Sequence, residues 1–420
     1  MSLFSIRASL LALLTAVLVA ACGGSSTSTT PPPPEGGISV VAGDSQVTVS
    51  WKETAGVEYW IFAAPNNPNL SLSTWLATTG STYRLKVTSP FVVTGLTNGT
   101  PYSFFMTGRI NSGPGGAATP TVTATPRLAG TTWTTGTNLN TGTKTGMTYG
   151  SYVETATNTT KLAYLAVGNG GRLYTASSID TWTAVPPLVT TDLNAAEFGF
   201  AKFVAAGAAG KVIYSSDTKT WTQAASVTTQ NLNAMAINGS LAVAVGDNGT
   251  IITSKDAITW TLATSVPTTS NLLGVAYTAS GTWVAVGAAG KILTSTDGVT
   301  WTAQTSASTA DLKAVGALAS VLNGTTTYQF IAVGSNGTVL SSPDAITWTA
   351  QNANTTASLN ALSATNQFLA VGANGTIITS ADGITWTRQV SNTSAELKTL
   401  LRAENQYIAV NTAGGIVSSK

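Results

Sequence analysis

Read only for apolar and polar positions, the chain changes character three times. Residues 8–21, ASLLALLTAVLVAA, form one continuous apolar run. Residues 23–37, GGSSTSTTPPPPEGG, show no apolar period. From about residue 37 to 126 the pattern breaks into short runs suited to strands. Val47-Thr48-Val49-Ser50-Trp51 alternates with period two. Tyr59-Trp60-Ile61-Phe62 and Tyr83-Arg84-Leu85-Lys86-Val87 follow, and TPTVTATP at 119–126 reads as a last strand.

From about residue 130 to 420 one unit recurs, typified by NLNAMAINGSLAVAVGDNGTIITSKDAITWT at 231–261. It predicts four strands, at 232–237, 241–245, 250–254 and 259–261. Asn-Gly, Asp-Asn-Gly and Lys-Asp-Ala turns join them. The tryptophan of the unit recurs as Trp182, Trp221, Trp260, Trp301, Trp348 and Trp386, roughly every forty residues, the period of four-stranded propeller blades. The last unit ends in AVNTAGGIVSSK, before its D-x-x-T-W-T, whereas Thr131-Thr132-Trp133-Thr134 has no unit ahead of it. The simplest reading is a ring that the TTWT strand closes, leaving only short, protected strand edges. Trp133 and the six others then count seven blades. First strands counted from Thr145, Leu193, Leu232, Leu272, Leu312, Leu359 and Leu397 agree.

The S-x-D-x-x-T-W segment, as in Ser295-Thr296-Asp297-Gly298-Val299-Thr300-Trp301, resembles the Asp-box of BNR propellers, although the tryptophan comes one residue sooner than in the usual box. That broad set includes sialidases, sortilin-type receptors and Ycf48-like photosystem assembly factors. The resemblance spans about 290 residues and implies a propeller, not a particular activity. In the preceding segment, GLTNGTPYSFFM at 95–106 resembles the tyrosine corner of fibronectin type III domains, with Trp51 at that family's strand-B tryptophan. The expected fold class is therefore all-β: a fibronectin type III-like sandwich at 37–126, read as a spacer, and a seven-bladed β-propeller at 130–420.

Composition narrows the chemistry. Lysine and arginine number 19 and aspartate and glutamate 17, so no basic footprint for nucleic acid exists. No histidine is present, and Cys22 is the single cysteine. A Ser-His-Asp or Cys-His nucleophile, a zinc site of Cys and His, and an internal disulfide cannot be built. No cofactor and no metal are expected. The apolar run after Arg7 has signal-peptide length, too short to favour a membrane span. Val19-Ala20-Ala21-Cys22 resembles a bacterial lipobox, which implies cleavage of a signal peptide at 1–21 and lipidation of Cys22. A Gly/Ser/Pro tether at 22–36 would follow. The resemblance implies a lipid-anchored protein of the cell envelope, on the outer membrane in a Gram-negative host.

Within the repeat, Asp217, Asp256, Asp297, Asp344 and Asp382 share one position, with Asp180 displaced in ASSIDTW. Aspartate in a tight turn accepts from backbone N–H groups two residues on. Repetition assigns these residues to structure, and the tryptophans to wedges between blades. Glycines of V-G-x-x-G, such as Gly246 and Gly249, are expected to supply positive φ. Strand order puts the Asp-box turns on the face opposite the loops that join strands two to three and one blade to the next. The candidate ligand face is therefore the latter, with Asn169, Arg172, Lys211, Asp247, Asn248, Lys291, Asn336 and Asn374. The loops between blades are rich in Ser and Thr and lack aromatic residues, which weakens glycan binding.

A sialidase would need a tyrosine nucleophile, carboxylate partners and an arginine triad. The propeller offers only Arg172, Arg388 and Arg402, with the first two toward one face and the third toward the other. Other glycosidases need two facing carboxylates, and the sequence does not pair Glu154, Glu197, Glu396 or Glu404. The reading is a surface-anchored, non-catalytic lipoprotein whose propeller binds a protein or helps assemble an envelope complex. The alternative is a glycan-binding or glycan-cleaving, sialidase-like propeller.

Overall fold

The computed structural model describes residues 30–139, 144–154, 156–306 and 308–420. The apolar run, Cys22 and the first part of the tether lie outside the described residues. The chain divides into two compact units, Met1–Leu128 and Ala129–Lys420.

The first unit is built from two antiparallel sheets. One holds Ile38–Gly43, Gln46–Trp51 and Phe91–Thr94. The other is ordered Thr82–Val87, Glu58–Pro65, Tyr102–Arg109 and Val122–Ala124. Val47, Val49 and Val93 of the first sheet share one apolar cluster with Tyr59, Ile61, Phe104 and Met106 of the second. The Tyr102 hydroxyl accepts from the Thr97 N–H at 3.2 Å, and the Tyr59 hydroxyl from the Thr54 N–H at 2.9 Å. Trp51 is half-buried and meets Tyr59 edge-on, ring centroids 5.5 Å apart.

Strand alternation fails for Glu58–Pro65 and Tyr102–Arg109, where almost every residue is buried. The cause is a short helix, Leu72–Ala77, laid on the outer face of their sheet. Its N-cap Ser71 accepts from the Thr74 N–H, while the Thr74 hydroxyl accepts from the Ser71 N–H. Trp75 of this helix packs edge-on against Phe62 at 5.2 Å, and Phe62 stacks on Phe105 at 4.9 Å. The proline run is not wholly spacer, because Pro31 and Pro34 are buried.

Among the described residues, the second unit contains seven four-stranded antiparallel sheets. Sheet 1 is Lys144–Glu154, Thr159–Gly168, Leu173–Ser178 and Thr181–Val185. Sheet 2 is Leu193–Gly199, Lys202–Gly207, Val212–Ser215 and Thr222–Gln223. Sheet 3 is Leu232–Ile237, Ala242–Gly246, Ile251–Ser254 and Thr261–Leu262. Sheet 4 is Leu272–Tyr277, Trp283–Gly287, Ile292–Ser295 and Thr302–Gln304. Sheet 5 is Leu312–Leu322, Thr325–Gly334, Val339–Ser342 and Thr349–Gln351. Sheet 6 is Leu359–Ala364, Phe368–Gly372, Ile377–Ser380 and Thr387–Gln389. Sheet 7 is Leu397–Ala403, Gln406–Asn411 and Gly415–Ser419, with Thr134–Asn138 as its outermost strand. Except in sheet 1, where Trp182 lies inside Thr181–Val185, the outermost strands start just after their tryptophans, so those tryptophans belong to a turn rather than to the strand expected at 259–261 and its equivalents.

The first strand of each sheet packs against that of the next, and the first strand of sheet 7 returns to that of sheet 1. The unit is an all-β propeller. Each joint between neighbouring sheets holds one apolar cluster and one tryptophan of the repeat, and the joint of sheets 3 and 4 holds Trp283 besides. Between sheets 3 and 4, Val243, Val245 and Ile251 meet Leu272, Trp283, Leu293 and Trp301. At the joint of sheets 6 and 7 the place is taken by Trp133, with Leu369, Val371, Leu397 and Tyr407.

The closing turn of sheet 7 is assembled from both ends of the unit. In sheet 4 the Gly298 N–H donates to Ser295 Oγ at 2.8 Å, and Trp301 Nε1 donates to the Gly298 carbonyl at 3.1 Å. In sheet 7 the Gly130 N–H donates to Ser419 Oγ at 2.7 Å, and Trp133 Nε1 donates to the Gly130 carbonyl at 2.9 Å. The same turn is thus made of one serine near the end of the unit and a glycine and tryptophan near its start, with Ala129 in the place of the aspartate.

Candidate functional site

Chain direction gives the ring two different ends. One carries the turns between strands one and two and the Asp-box turns. The other, the mouth, carries the turns between strands two and three and the loops between sheets.

At the box end the aspartates act on their own turns. Asp297 Oδ1 accepts from the Val299 and Thr300 N–H groups at 2.8 and 2.7 Å and from the Ser295 hydroxyl at 2.9 Å. Asp217, Asp256, Asp344 and Asp382 make the same set. The Thr300 and Val299 amides lower the Asp297 carboxyl to about 2. Asp180 differs: Ile179 and Asp180 form a two-residue turn, and Asp180 is exposed.

Also at this end, Tyr149 and Tyr164 of sheet 1 donate to the two oxygens of Glu404 from sheet 7, at 2.9 and 2.8 Å. A tyrosine beside a glutamate suggests a sialidase-type nucleophile. Burial and the Glu404 carboxylate instead raise both hydroxyls well above the ordinary tyrosine value, which opposes ionisation. The trio ties sheet 1 to sheet 7. Arg172, Arg388 and Arg402 fall in three different sheets.

At the mouth, the V-G-x-x-G turns approach neighbouring backbone closely. Gly249 has φ +67°, as expected. Gly246 does not: its φ is −161°, open to any residue. Its need is space, because a Cβ there would lie 1.9 Å from the Asn231 carbonyl oxygen. Five of these turns are strapped to the residue just before the next sheet, which accepts from the turn's middle N–H. The Ala209 N–H donates to Asn231 Oδ1 at 3.1 Å, the Asn248 N–H to Asn271 Oδ1 at 3.0 Å, and the Ala289 N–H to Asp311 Oδ1 at 3.0 Å.

The sequence-expected ligand face is not one site. Asn169, Asp247, Asn248, Asn336 and Asn374 lie in the turns of five sheets, and Arg172, Lys211 and Lys291 directly after three. None of them lines the central channel. Asp247 is occupied by the Asn231 and Asn233 amides, both at 2.9 Å. Asn374 borders a separate groove with Arg388, Gln389 and Asn392.

The channel, a cavity of about 220 Å³, is lined by the first strands of all seven sheets. Its mouth is set by the second residue of each first strand. In four sheets this side chain bonds to the first-strand leucine carbonyl of the next sheet. Thr145 reaches Leu193; Asn194, Asn233 and Asn360 reach Leu232, Leu272 and Leu397 at 2.9, 3.0 and 2.9 Å. In sheets 5 and 7 the position is Lys313 and Lys398. Lys313 Nζ donates to Asn360 Oδ1 at 2.9 Å, and Lys398 Nζ to Glu396 Oε1 at 2.8 Å. Glu396 stands where other sheets place a strap residue, and its Oε1 also accepts from Asn360 Nδ2 at 3.0 Å. Burial, then the nearby Lys398 charge, push Lys313 below the ordinary lysine value. Within the channel, burial pushes the Glu197 carboxyl up to about 7.

Sequence reasoning missed this ring. The signal was present as Leu-Asn, Leu-Asn, Leu-Leu, Leu-Lys, Leu-Asn and Leu-Lys at the six first strands from Leu193 onward. It needed the strand direction and pleat to show which residues of the repeat face the axis.

Comparison with known proteins agrees on the architecture. Residues 295–420 match the DUF6242 beta propeller domain. A solved Ycf48 bound to a D1 peptide is 17% identical with a TM-score of 0.54, covering 70% of this chain and 99% of its own. Ycf48 from Cyanidioschyzon merolae is 15% identical with a TM-score of 0.51, covering 68% and 98%. A streptogramin B lyase structure is 11% identical with a TM-score of 0.56, covering 69% and 97%. At these identities the likeness is one of fold. No curated protein matches the chain.

Proposed function

We propose that the chain is a surface-anchored, non-catalytic lipoprotein whose seven-bladed propeller binds a protein at its mouth. A fibronectin type III-like domain at 37–126 serves as the spacer, and Cys22 carries the lipid. The observation that carries the binding reading is the mouth itself. Six of its turns repeat one another, whereas sheets 5 to 7 place Lys313, Asn360, Glu396 and Lys398 around a central channel. The Ycf48 structure with a bound D1 peptide supports it, as a propeller of the same fold engaging a peptide. The Thr97-to-Tyr102 bond and the two-sheet core support the spacer reading.

The test is site-specific photocrosslinking in the native envelope. A photoreactive residue at Asn336, on the mouth, should give one discrete protein adduct. The same residue at Ile346, on the box end, should give none. Adducts of equal yield from both ends, or none from either, would reject a mouth-specific partner. Cys22→Ser should move the protein out of the membrane fraction; retention there would reject lipidation.

A further inference from the structure

Resting on the mouth-binding reading, we infer that the channel mouth is a receptor for a peptide carboxylate, held by Lys313 and Lys398. Four first strands use this position to lace one sheet to the next, through Thr145, Asn194, Asn233 and Asn360. At both lysines the bond to the next leucine carbonyl is replaced: Lys313 reaches the next sheet only through Asn360 Oδ1, and Lys398 turns to Glu396 just ahead of its own strand, so the tie that the repeat requires does not by itself explain an ammonium at either place. Their surroundings do not explain them fully either. The Lys313 ammonium is half-buried and donates to a neutral amide oxygen. Ammonium carries three donors, and burying the charge with neutral partners is unfavourable. The neighbouring Lys398 charge adds to that cost, and the Glu396 and Asp311 carboxylates offset it only in part, so that Lys313 stays below the ordinary lysine value. A carboxylate seated between the two would offset both effects with charge-assisted hydrogen bonds.

Glu396 is the internal rival. It accepts from Lys398 and Asn360 and so occupies one of the two cations. Below the lysines the first strands present small and apolar side chains, such as Ala314, Ala361 and Leu362, and also Glu197, whose carboxyl burial favours in its neutral form. A cavity of about 220 Å³ admits a side chain or the last residue or two of a peptide, not a folded domain. The chemistry is thus a carboxylate on an extended peptide, from either its C-terminus or an Asp or Glu side chain.

The test uses the full chain and three degenerate hexapeptide pools. One has free C-termini and no acidic residues, one is the same pool amidated, and one is amidated with a single Asp or Glu. Either carboxylate pool should be retained at least tenfold over the amidated neutral pool, with retention falling as salt rises. The pool retained identifies the source. Lys313→Met should remove the preference. Glu396→Gln, which frees Lys398, should increase it several-fold, and keeps the test informative should the lysine variant fold poorly. Equal retention of all three pools by the wild type, or no gain with Glu396→Gln, would overturn the proposal. A mouth-specific crosslink with no carboxylate preference would sink this inference and leave the protein-binding reading standing. A carboxylate preference with no crosslink would do the reverse.

Discussion

The two ends of the ring are made from the same repeat yet read differently. At the box end, five aspartates make one set of bonds, and even the split turn of sheet 7 reproduces part of it with Ser419 and Gly130. At the mouth, straps and ties also repeat, but sheets 5 and 7 carry lysines at the tie position and sheet 7 a glutamate at the strap position. Repetition around a ring answers a need every joint shares. A departure from it answers a need that one place has.

Removing the tryptophan wedges should have the largest effect. Trp301 and Trp133 are 5% and 1% exposed, and each fills one joint. Trp301→Ala should cost about 3–5 kcal/mol in denaturant unfolding. Trp133→Ala should cost as much, because the closing joint is built like the others. Trp221→Ala should cost clearly less, since Trp221 is only half-buried. A Trp133→Ala loss under about 1 kcal/mol would show that closure is not equivalent to an interior joint.

A second experiment separates space from conformation at the mouth. Gly246→Ala keeps an allowed φ, but its methyl would sit on the Asn231 carbonyl. Forced backbone shifts of this kind cost about 1–3 kcal/mol. An unchanged melting temperature would mean that the strap is looser than the geometry states.

Much of this architecture was legible in the sequence, and the reasons are physical. The repeat exposes its own strands and turns, and the orphan Thr131-Thr132-Trp133-Thr134 pointed to ring closure. The candidate site was not legible. Turn residues such as Asn248 and Asn336 look available in a sequence, yet each belongs to a different sheet, so the ring spreads them around its rim. Lys313 and Lys398 look like ordinary strand-start lysines until the first strands are set around an axis. Helix Leu72–Ala77 escaped for a related reason: six residues are too few for an apolar period, and its capping box uses threonine rather than glutamate.

Between the two ends lies Glu197, whose carboxyl is raised to about 7 by burial in the channel. Protonation is therefore easier in the folded chain than in the unfolded one. Stability from this group is complete below the unfolded value of 4.5 and is lost as pH rises through about 7. Glu197→Gln should leave stability at pH 4 nearly unchanged and raise it at pH 8 by up to about 3 kcal/mol. An equal effect at both pH values would show that packing, not charge, sets its cost.

The smallest effect is expected where the sequence is most conspicuous. Asp297 is held at about 2 by the Thr300 and Val299 amides, a depressed carboxylate with the opposite sign. Its contribution is present above the unfolded value of 3.8 and lost as pH falls toward 2. The group is exposed, so solvent screens it, and Asp297→Asn should cost no more than about 1 kcal/mol at pH 7. Removing all five aspartates should add nearly fivefold, because the turns lie in separate sheets and share no partners. The five-fold variant should also lose most of the stability change that the wild type shows between pH 4 and 2. A single substitution as damaging as Trp301→Ala would mean that one box does something the others do not, and the distinction between the two ends would fail at that sheet.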